Sequence, residues 1–212
     1  MDNFTRITAT ACPLNVTNIN TDQLLPARYL KWPRSAGLGK VLLQDLRFDP
    51  GGGEKRDFPL NRPEWRDAKI IVAGRNFGCG SSRESAVYAL YDYGIRCVVA
   101  PSFGDIFAGN AVQNGLLTAA VPDEVAAELM SRLTTTPGTP VTVDLEQQTI
   151  SWGNLSCGFS IDPVRRLRLL NGWDDIALTE SFRDRISAFK AADRSRRTWA
   201  IPCDSIRDGR PS

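Results

Sequence analysis

Three short apolar runs, residues 68–73, 95–100 and 116–121, recur through the middle of this chain, and each is followed by a stretch with helical spacing. Runs of this length without polar alternation read as strands buried on both faces. After the first run, Ala86, Val87, Leu90 and Tyr91 make an apolar stripe that Gly94 ends, predicting a helix over 81–93. After the second, Ser102-Phe103-Gly104-Asp105 has capping-box form and opens a helix that closes near Gly115. After the third, Pro122 opens a helix with Val125, Leu129 and Leu133 on one face. Repeated strand–helix alternation predicts an α/β protein, a sheet covered by helices.

The flanks are less regular. Residues 4–11 read as a first strand, 12–26 as a polar loop and 36–47 as a short helix, with a flexible turn at Pro50-Gly51-Gly52-Gly53. Beyond the helix of the third repeat, 141–145 and 149–152 flank a polar turn as a hairpin, and 155–161 adds a third strand of that kind. Helices are expected over 163–170 and 179–190. From Asp193 the chain turns basic and polar, and residues 193–212 read as a poorly ordered tail behind a single domain over 1–192.

The chemistry concentrates between the first buried run and its helix, in Gly74-Arg75-Asn76-Phe77-Gly78-Cys79-Gly80-Ser81-Ser82-Arg83-Glu84. Gly74, Gly78 and Gly80 allow a left-handed backbone or close approach to a ligand. A helix start just beyond directs free N–H groups at an anion, and Arg83 in its first turn can grip a carboxylate with a two-pronged guanidinium. Cys79 lies where a helix N-terminus favours a thiolate. For Ser81 the residues alone leave two readings. Ser81-Ser82-Arg83-Glu84 fits a helix-capping box, yet a plain cap needs no flanking glycines. Arg83 is either a solvated helix residue or a carboxylate clamp, and Asn20-Thr21-Asp22 is either an Asx-type turn or part of a site.

Composition narrows the functions available. Lys and Arg number 26 against 24 Asp and Glu, a balance that gives no argument for nucleic acid. No apolar run reaches the ~18 residues of a spanning helix, and the first residues lack a secretory pattern, so a cytoplasmic protein is expected. The five cysteines are scattered, with no C-x-x-C pair, and supply neither a disulfide framework nor a cluster-binding set. The chain contains no histidine at all. Acid–base work within it therefore falls to Ser, Tyr, Lys, Cys or carboxylates. Walker, Rossmann and nucleophile-elbow loops each fail on a missing lysine, third glycine or histidine.

The stretch from Asn76 to Glu84 resembles the signature of the aconitase swivel domain, and in particular that of the separate small subunits of 3-isopropylmalate dehydratases. Asn18-Ile19-Asn20-Thr21-Asp22-Gln23-Leu24-Leu25-Pro26-Ala27-Arg28-Tyr29-Leu30, Ala100-Pro101-Ser102-Phe103-Gly104-Asp105-Ile106-Phe107, Asn114-Gly115-Leu116-Leu117 and Leu169-Leu170-Asn171-Gly172-Trp173-Asp174-Asp175-Ile176 extend the match in order over nearly the whole chain. The resemblance implies the swivelling β/β/α architecture of the aconitase fourth domain, with the hairpin and helices at its C-terminal end. It implies a hydro-lyase of leucine biosynthesis in which Ser81 is the catalytic base. Arg83 would bind a substrate carboxylate, with Gly80, Ser82, Thr21, Asp22 and Leu30 as further substrate contacts, Leu30 suiting an isopropyl group. It implies no metal site in this chain, and a large partner subunit that carries a four-iron–four-sulfur cluster. A related hydro-lyase for another hydroxy-diacid, or a non-catalytic anion-binding module on the same fold, stand as alternatives. Two positions depart from the pattern: Ser85 where the family often has histidine, and Ala111 within Ala108-Gly109-Asn110-Ala111, where many small subunits have Asn-Asn-Cys after a bulky residue.

Overall fold

The computed structural model describes residues 2–200. In chain order its elements are strand β1 (Arg6–Leu14), helix α1 (Thr21–Leu24), helix α2 (Gln44–Arg47), strand β2 (Ile70–Ala73), helix α3 (Ser85–Tyr93), strand β3 (Cys97–Ala100), helix α4 (Asp105–Gln113), strand β4 (Leu117–Ala120), helix α5 (Asp123–Thr135), strands β5 (Pro140–Asp144), β6 (Thr149–Trp152) and β7 (Leu155–Gly158), and helices α6 (Pro163–Asn171), α7 (Asp175–Ser181) and α8 (Arg183–Arg196). Short 3-10 turns fill the connection between α1 and β2.

All seven strands form one mixed sheet in the order β4-β3-β2-β1-β5-β6-β7. The three apolar runs become neighbouring parallel strands, with Ile70 opposite Cys97 and Cys97 opposite Leu117. Alternation along these strands feeds two cores. Cys12, Leu14, Ile71, Ala73, Val98 and Ala100 pack on one side with Ala86, Val87 and Leu90 of α3. Ala11, Ile70, Val72, Cys97, Val99, Leu117 and Ala119 pack on the other with Ala126, Leu129 and Leu133 of α5. Both faces are covered, which is why the strands read as unbroken apolar runs.

β1 is the seam of the sheet. Its first half, Arg6 to Thr10, pairs antiparallel with β5, and its second half, Ala11 to Leu14, pairs parallel with β2. The expected first strand therefore runs on past residue 11, and the hairpin expected as an appendage is the other half of the same sheet. The helix expected over 36–47 is broken. Leu43 has a left-handed backbone (φ 52°) and separates a 3-10 turn, Leu38–Val41, from α2. The helix expected over 179–190 is two helices, interrupted at Phe182.

By its internal contacts the chain divides after Asp174. The second unit contains α7 and α8, neither of which buries a residue, and it exposes Ile176, Phe182, Phe189 and Trp199. The start of the expected tail is helical, because α8 continues to Arg196 and an Asp193–Arg197 ion pair supports its end. Residues 201–212 of that tail, with Cys203, lie outside the described residues. Among the described residues no helix is long and apolar enough to cross a membrane.

Ile70 is fully buried, with Ala11 and Cys97 as its partners on either side. Ile70→Ala is expected to lower the unfolding free energy by about 2–5 kcal/mol, measured by denaturant titration.

Candidate active site: a loop held by its neighbours

The loop after β2 is held first of all by a continuation of strand pairing. Past the Leu14–Ala73 pair, Gly74 N donates to Val16 O (3.1 Å) and Asn18 N to Arg75 O (2.8 Å). Gly78 N then donates to Ile19 O (2.7 Å) and Thr21 N to Cys79 O (2.9 Å). On the other side Phe77 N donates to Ser102 O (3.0 Å) and Gly104 N to Phe77 O (2.9 Å). The loop is thus a strand-like ribbon between two other chain segments, ending where Gly80, Ser81 and Ser82 emerge at the surface.

Two glycines permit that packing. A Cβ on Gly78, which has φ +72°, would sit 2.2 Å from the Phe107 ring. A Cβ on Gly104 would sit 2.6 Å from Gly78 O. Gly80 is exposed with φ +95° and turns the chain toward Ser81, whereas Gly74 is needed for its close approach to Val16 and Thr17.

The structure decides between the two readings of Ser81. α3 begins at Ser85, its N-cap is Glu84, and no side chain caps it. The Ser81 hydroxyl instead lies 3.2 Å from Thr21 Oγ1, and Ser81 O accepts a hydrogen bond from Arg83 N (2.9 Å) in a turn ahead of the helix. The capping-box reading fails because the serine's polar partner comes from α1, across the ribbon. Arg83 is consequently not in the first turn of a helix, where it was expected, but just ahead of the N-cap Glu84. Cys79 also stands well ahead of the helix start, half-buried, its thiol donating to Asn18 O (3.5 Å). The capping box expected at Ser102 is likewise absent: Gly104 precedes α4 without a side-chain cap, and Ser102 Oγ accepts from Asn76 N (2.9 Å).

Asn20-Thr21-Asp22 is a helix start. Asn20 Oδ1 accepts from Gln23 N (2.8 Å), and Gln23 Oε1 accepts from Asn20 N (2.9 Å). That reciprocal capping box fixes α1 so that Thr21 points inward and Asp22 outward. Asp22 forms an ion pair with Arg83, whose side chain is 26% exposed against 55% for the aspartate. Thr21 is 1% exposed, so its hydroxyl faces Ser81 and not the solvent where a substrate would arrive. Thr21, Asp22, Gly80, Ser81, Ser82 and Arg83 are brought together. Leu30, whose backbone N–H donates to Ala27 O (3.1 Å), is 41% exposed just after the 3-10 turn Ala27–Tyr29, and no hydrogen bond among the described residues joins it to them.

Several supporting residues were not legible in the sequence. Asn110 Nδ2 reaches Ser82 O at 3.5 Å, and Asn114 Nδ2 donates to Glu84 Oε1 at 2.9 Å, so α4 holds the far end of the loop. Asn76 Nδ2 donates to Asn18 Oδ1 (2.9 Å). The partners are 28 to 58 positions apart, and nothing short of the fold pairs them. On α3, desolvation first and then a hydrogen bond with Glu84 push the Tyr88 phenol up, so it stays protonated.

A family model described as the aconitase C-terminal domain matches residues 1–124, and a second, LeuD_N, matches 127–163. The 3-isopropylmalate dehydratase small subunit of Rhodospirillum centenum is 49% identical over 202 residues, covering 95% of this chain and 100% of that protein. The chain belongs to the family of 3-isopropylmalate dehydratase small subunits. The small subunit of Paracoccus denitrificans is 46% identical, covering 94% of this chain and 100% of its own length. A crystal structure of 3-isopropylmalate dehydratase (leuD) from Methanocaldococcus jannaschii has a TM-score of 0.61 at 26% identity, covering 87% of this chain and 99% of that one. The mixed sheet with its helices is thus the swivel-domain fold of this family.

The two departures from the small-subunit pattern lie on α3 and α4. Ser85 opens α3, and Ala111 is fully buried in the core beside α3. Among the described residues no group of three or more His, Cys, Asp or Glu side chains is placed to hold a metal. Burial pushes the thiols of Cys12 and Cys97 far up, which keeps them protonated and unsuited to ligate iron. The donor set of these residues does not fit an iron–sulfur cluster.

Gly78→Ala tests the packing of the ribbon. The added methyl must displace the Phe107 ring and adopt a left-handed backbone, a combined cost of about 2–5 kcal/mol. A thermal melt of the purified chain is expected to show a clearly lowered transition.

Proposed function

We propose that this chain is the small subunit of a two-chain hydro-lyase that interconverts 2-isopropylmalate and 3-isopropylmalate by dehydration and rehydration in leucine biosynthesis. The observation that carries the reading is the pairing of Arg83 with the Asp22 carboxylate beside the Ser81 hydroxyl. A guanidinium that already holds one carboxylate at the open end of the ribbon is positioned for the same contact with a dicarboxylate substrate. The names of the relatives favour isopropylmalate over other hydroxy-diacids and over a non-catalytic module.

In this reading Ser81 takes the proton from the carbon next to a substrate carboxylate. Arg83 holds that carboxylate, and Ser82 and the Gly80 backbone border the same opening. Leu30 faces the isopropyl group once the assembly is complete. Hydroxide leaves the neighbouring carbon, and water returns with proton and hydroxyl positions exchanged. A large partner subunit carries a four-iron–four-sulfur cluster, which supplies the Lewis acidity that loss of hydroxide requires. The exposure of Gly80, Ser81 and Ser82 supports a site completed by a second chain. The assembly works in the cytoplasm.

Three measurements test this. Ser81→Ala in the two-chain enzyme should lower turnover by at least ~10²–10⁴, the scale of lost acid–base catalysis, with an unchanged melting temperature, while Ser82→Ala does much less. Near-normal turnover in a folded Ser81→Ala enzyme would exclude serine as the base. Arg83→Lys should weaken substrate binding by about 1.5–3 kcal/mol, seen as a raised KM, since lysine keeps the charge and loses the fork. Anaerobic reconstitution of the isolated chain with iron and sulfide should leave it iron-free, and a stoichiometric cluster on this chain alone would overturn the two-subunit reading.

A further inference from the structure

A serine hydroxyl is a poor base unless its ionised form is stabilised, and this chain has no histidine to take its proton. The structure places one hydroxyl where it can do the stabilising. Thr21 Oγ1 lies 3.2 Å from Ser81 Oγ and 3.2 Å from Ser81 O. Among the described residues these two atoms are its only hydrogen-bond partners. Thr21 is 1% exposed, so water does not compete for it.

One arrangement of protons satisfies both contacts of the Thr21 hydroxyl. A threonine hydroxyl has one hydrogen and two lone pairs. Donating to the Ser81 carbonyl, it accepts from the Ser81 hydroxyl. We propose that when Ser81 gives its proton to water, the Thr21 hydrogen turns from the carbonyl to the serine oxyanion, making Thr21 the internal donor that stabilises the ionised base. When that oxyanion takes the substrate's proton, Ser81 is again a hydroxyl and the Thr21 hydrogen returns to the carbonyl. Each turn moves one proton and leaves both side chains as they began. A hydrogen bond to an oxyanion is stronger than one between neutral groups, so the switch favours ionisation.

The scaffold holds Thr21 still while its hydrogen moves. Its N–H is bonded to Cys79 O and its C=O accepts from Leu25 N, while the Asn20–Gln23 capping box fixes the turn around it. A β-branched side chain there has few rotamers to lose. The charged and titratable groups about Ser81 are Cys79, Arg83 and Glu84 on its own loop and Asp22 on α1. α4 presents the uncharged Asn110. With Arg83 paired to Asp22, the Thr21 hydroxyl is the side-chain group within hydrogen-bond distance of Ser81 Oγ among the described residues. The role is that of a positioning residue, in place of the substrate contact that the sequence motif suggested for Thr21.

This inference rests on Ser81 being the base, and the experiment separates the two. Thr21→Val, Thr21→Ser and Ser81→Ala are each assembled with the large subunit and assayed across pH with thermal melts alongside. Valine keeps the shape and removes the donor. It is expected to lower kcat by about 10²-fold, the scale of a lost oxyanion donor, with KM nearly unchanged. It should also move the acidic limb of the kcat profile to higher pH, because serine ionisation becomes harder. Thr21→Ser is expected to restore both. An inactive Ser81→Ala enzyme beside a Thr21→Val enzyme of normal kcat and unmoved limb overturns the inference alone. A loss in the valine variant that serine does not repair overturns it too. An active Ser81→Ala enzyme overturns the base assignment and the inference together.

Discussion

The parallel pairing of β1 with β2 does not stop where the strands stop. It continues as a ladder of main-chain hydrogen bonds from Val16–Gly74 through Ile19–Gly78 to Thr21–Cys79. Almost every feature of the candidate site depends on that ladder. It sets the height at which Ser81 leaves the protein, brings α1 against the serine, and places Asp22 within reach of Arg83. Because main-chain bonds have fixed spacing, the register Leu14–Ala73 inside the sheet determines the register Thr21–Cys79 at the surface. A site built this way inherits the rigidity of the sheet, although its residues are formally in a loop.

The second strand-like contact, Phe77 with Phe103, closes the ribbon from the other side, and the Gly78–Gly104 contact lets the two backbones meet. The Phe77, Phe103 and Phe107 rings then pack edge-on below it. Apolar packing beneath and hydrogen-bonded backbone on both flanks bury Phe77 and Gly78, and residues 80–82 face water at the ribbon's end. The electrostatics follow the same economy. Arg83 and Asp22 neutralise one another at the opening.

The sequence made the central architecture legible. The three buried runs, the helices between them and the hairpin appear in order, because burial on both faces writes itself as continuous apolar residues and helix packing as a 3.6-residue stripe. It misplaced the elements whose form depends on distant partners. The 36–47 segment breaks at Leu43, and β1 extends to Leu14 because β2 lies there to pair with it. The capping box expected at Ser102 and the one that was one of two readings at Ser81 follow correct local patterns, but the serines bond elsewhere, Ser81 to Thr21 and Ser102 to Asn76. The capping box that does form, at Asn20 and Gln23, lay within a segment read as polar loop.

What the sequence determined by itself is chemical. It contains no histidine and no clustered cysteines, so acid–base work within the chain falls to Ser, Tyr, Lys, Cys or carboxylates, and its glycine-flanked Ser81-Ser82-Arg83 stands out as a candidate site. Those are properties of residue identity and spacing, and they survive any arrangement of the chain. Whether Ser81 caps a helix or stands free, whether Arg83 lies inside the helix or ahead of it, and whether Thr21 faces solvent or the serine were decided only in three dimensions. Each depends on a hydrogen bond between residues about sixty positions apart. Local sequence encodes the donor and the acceptor, and only the sheet register brings them together.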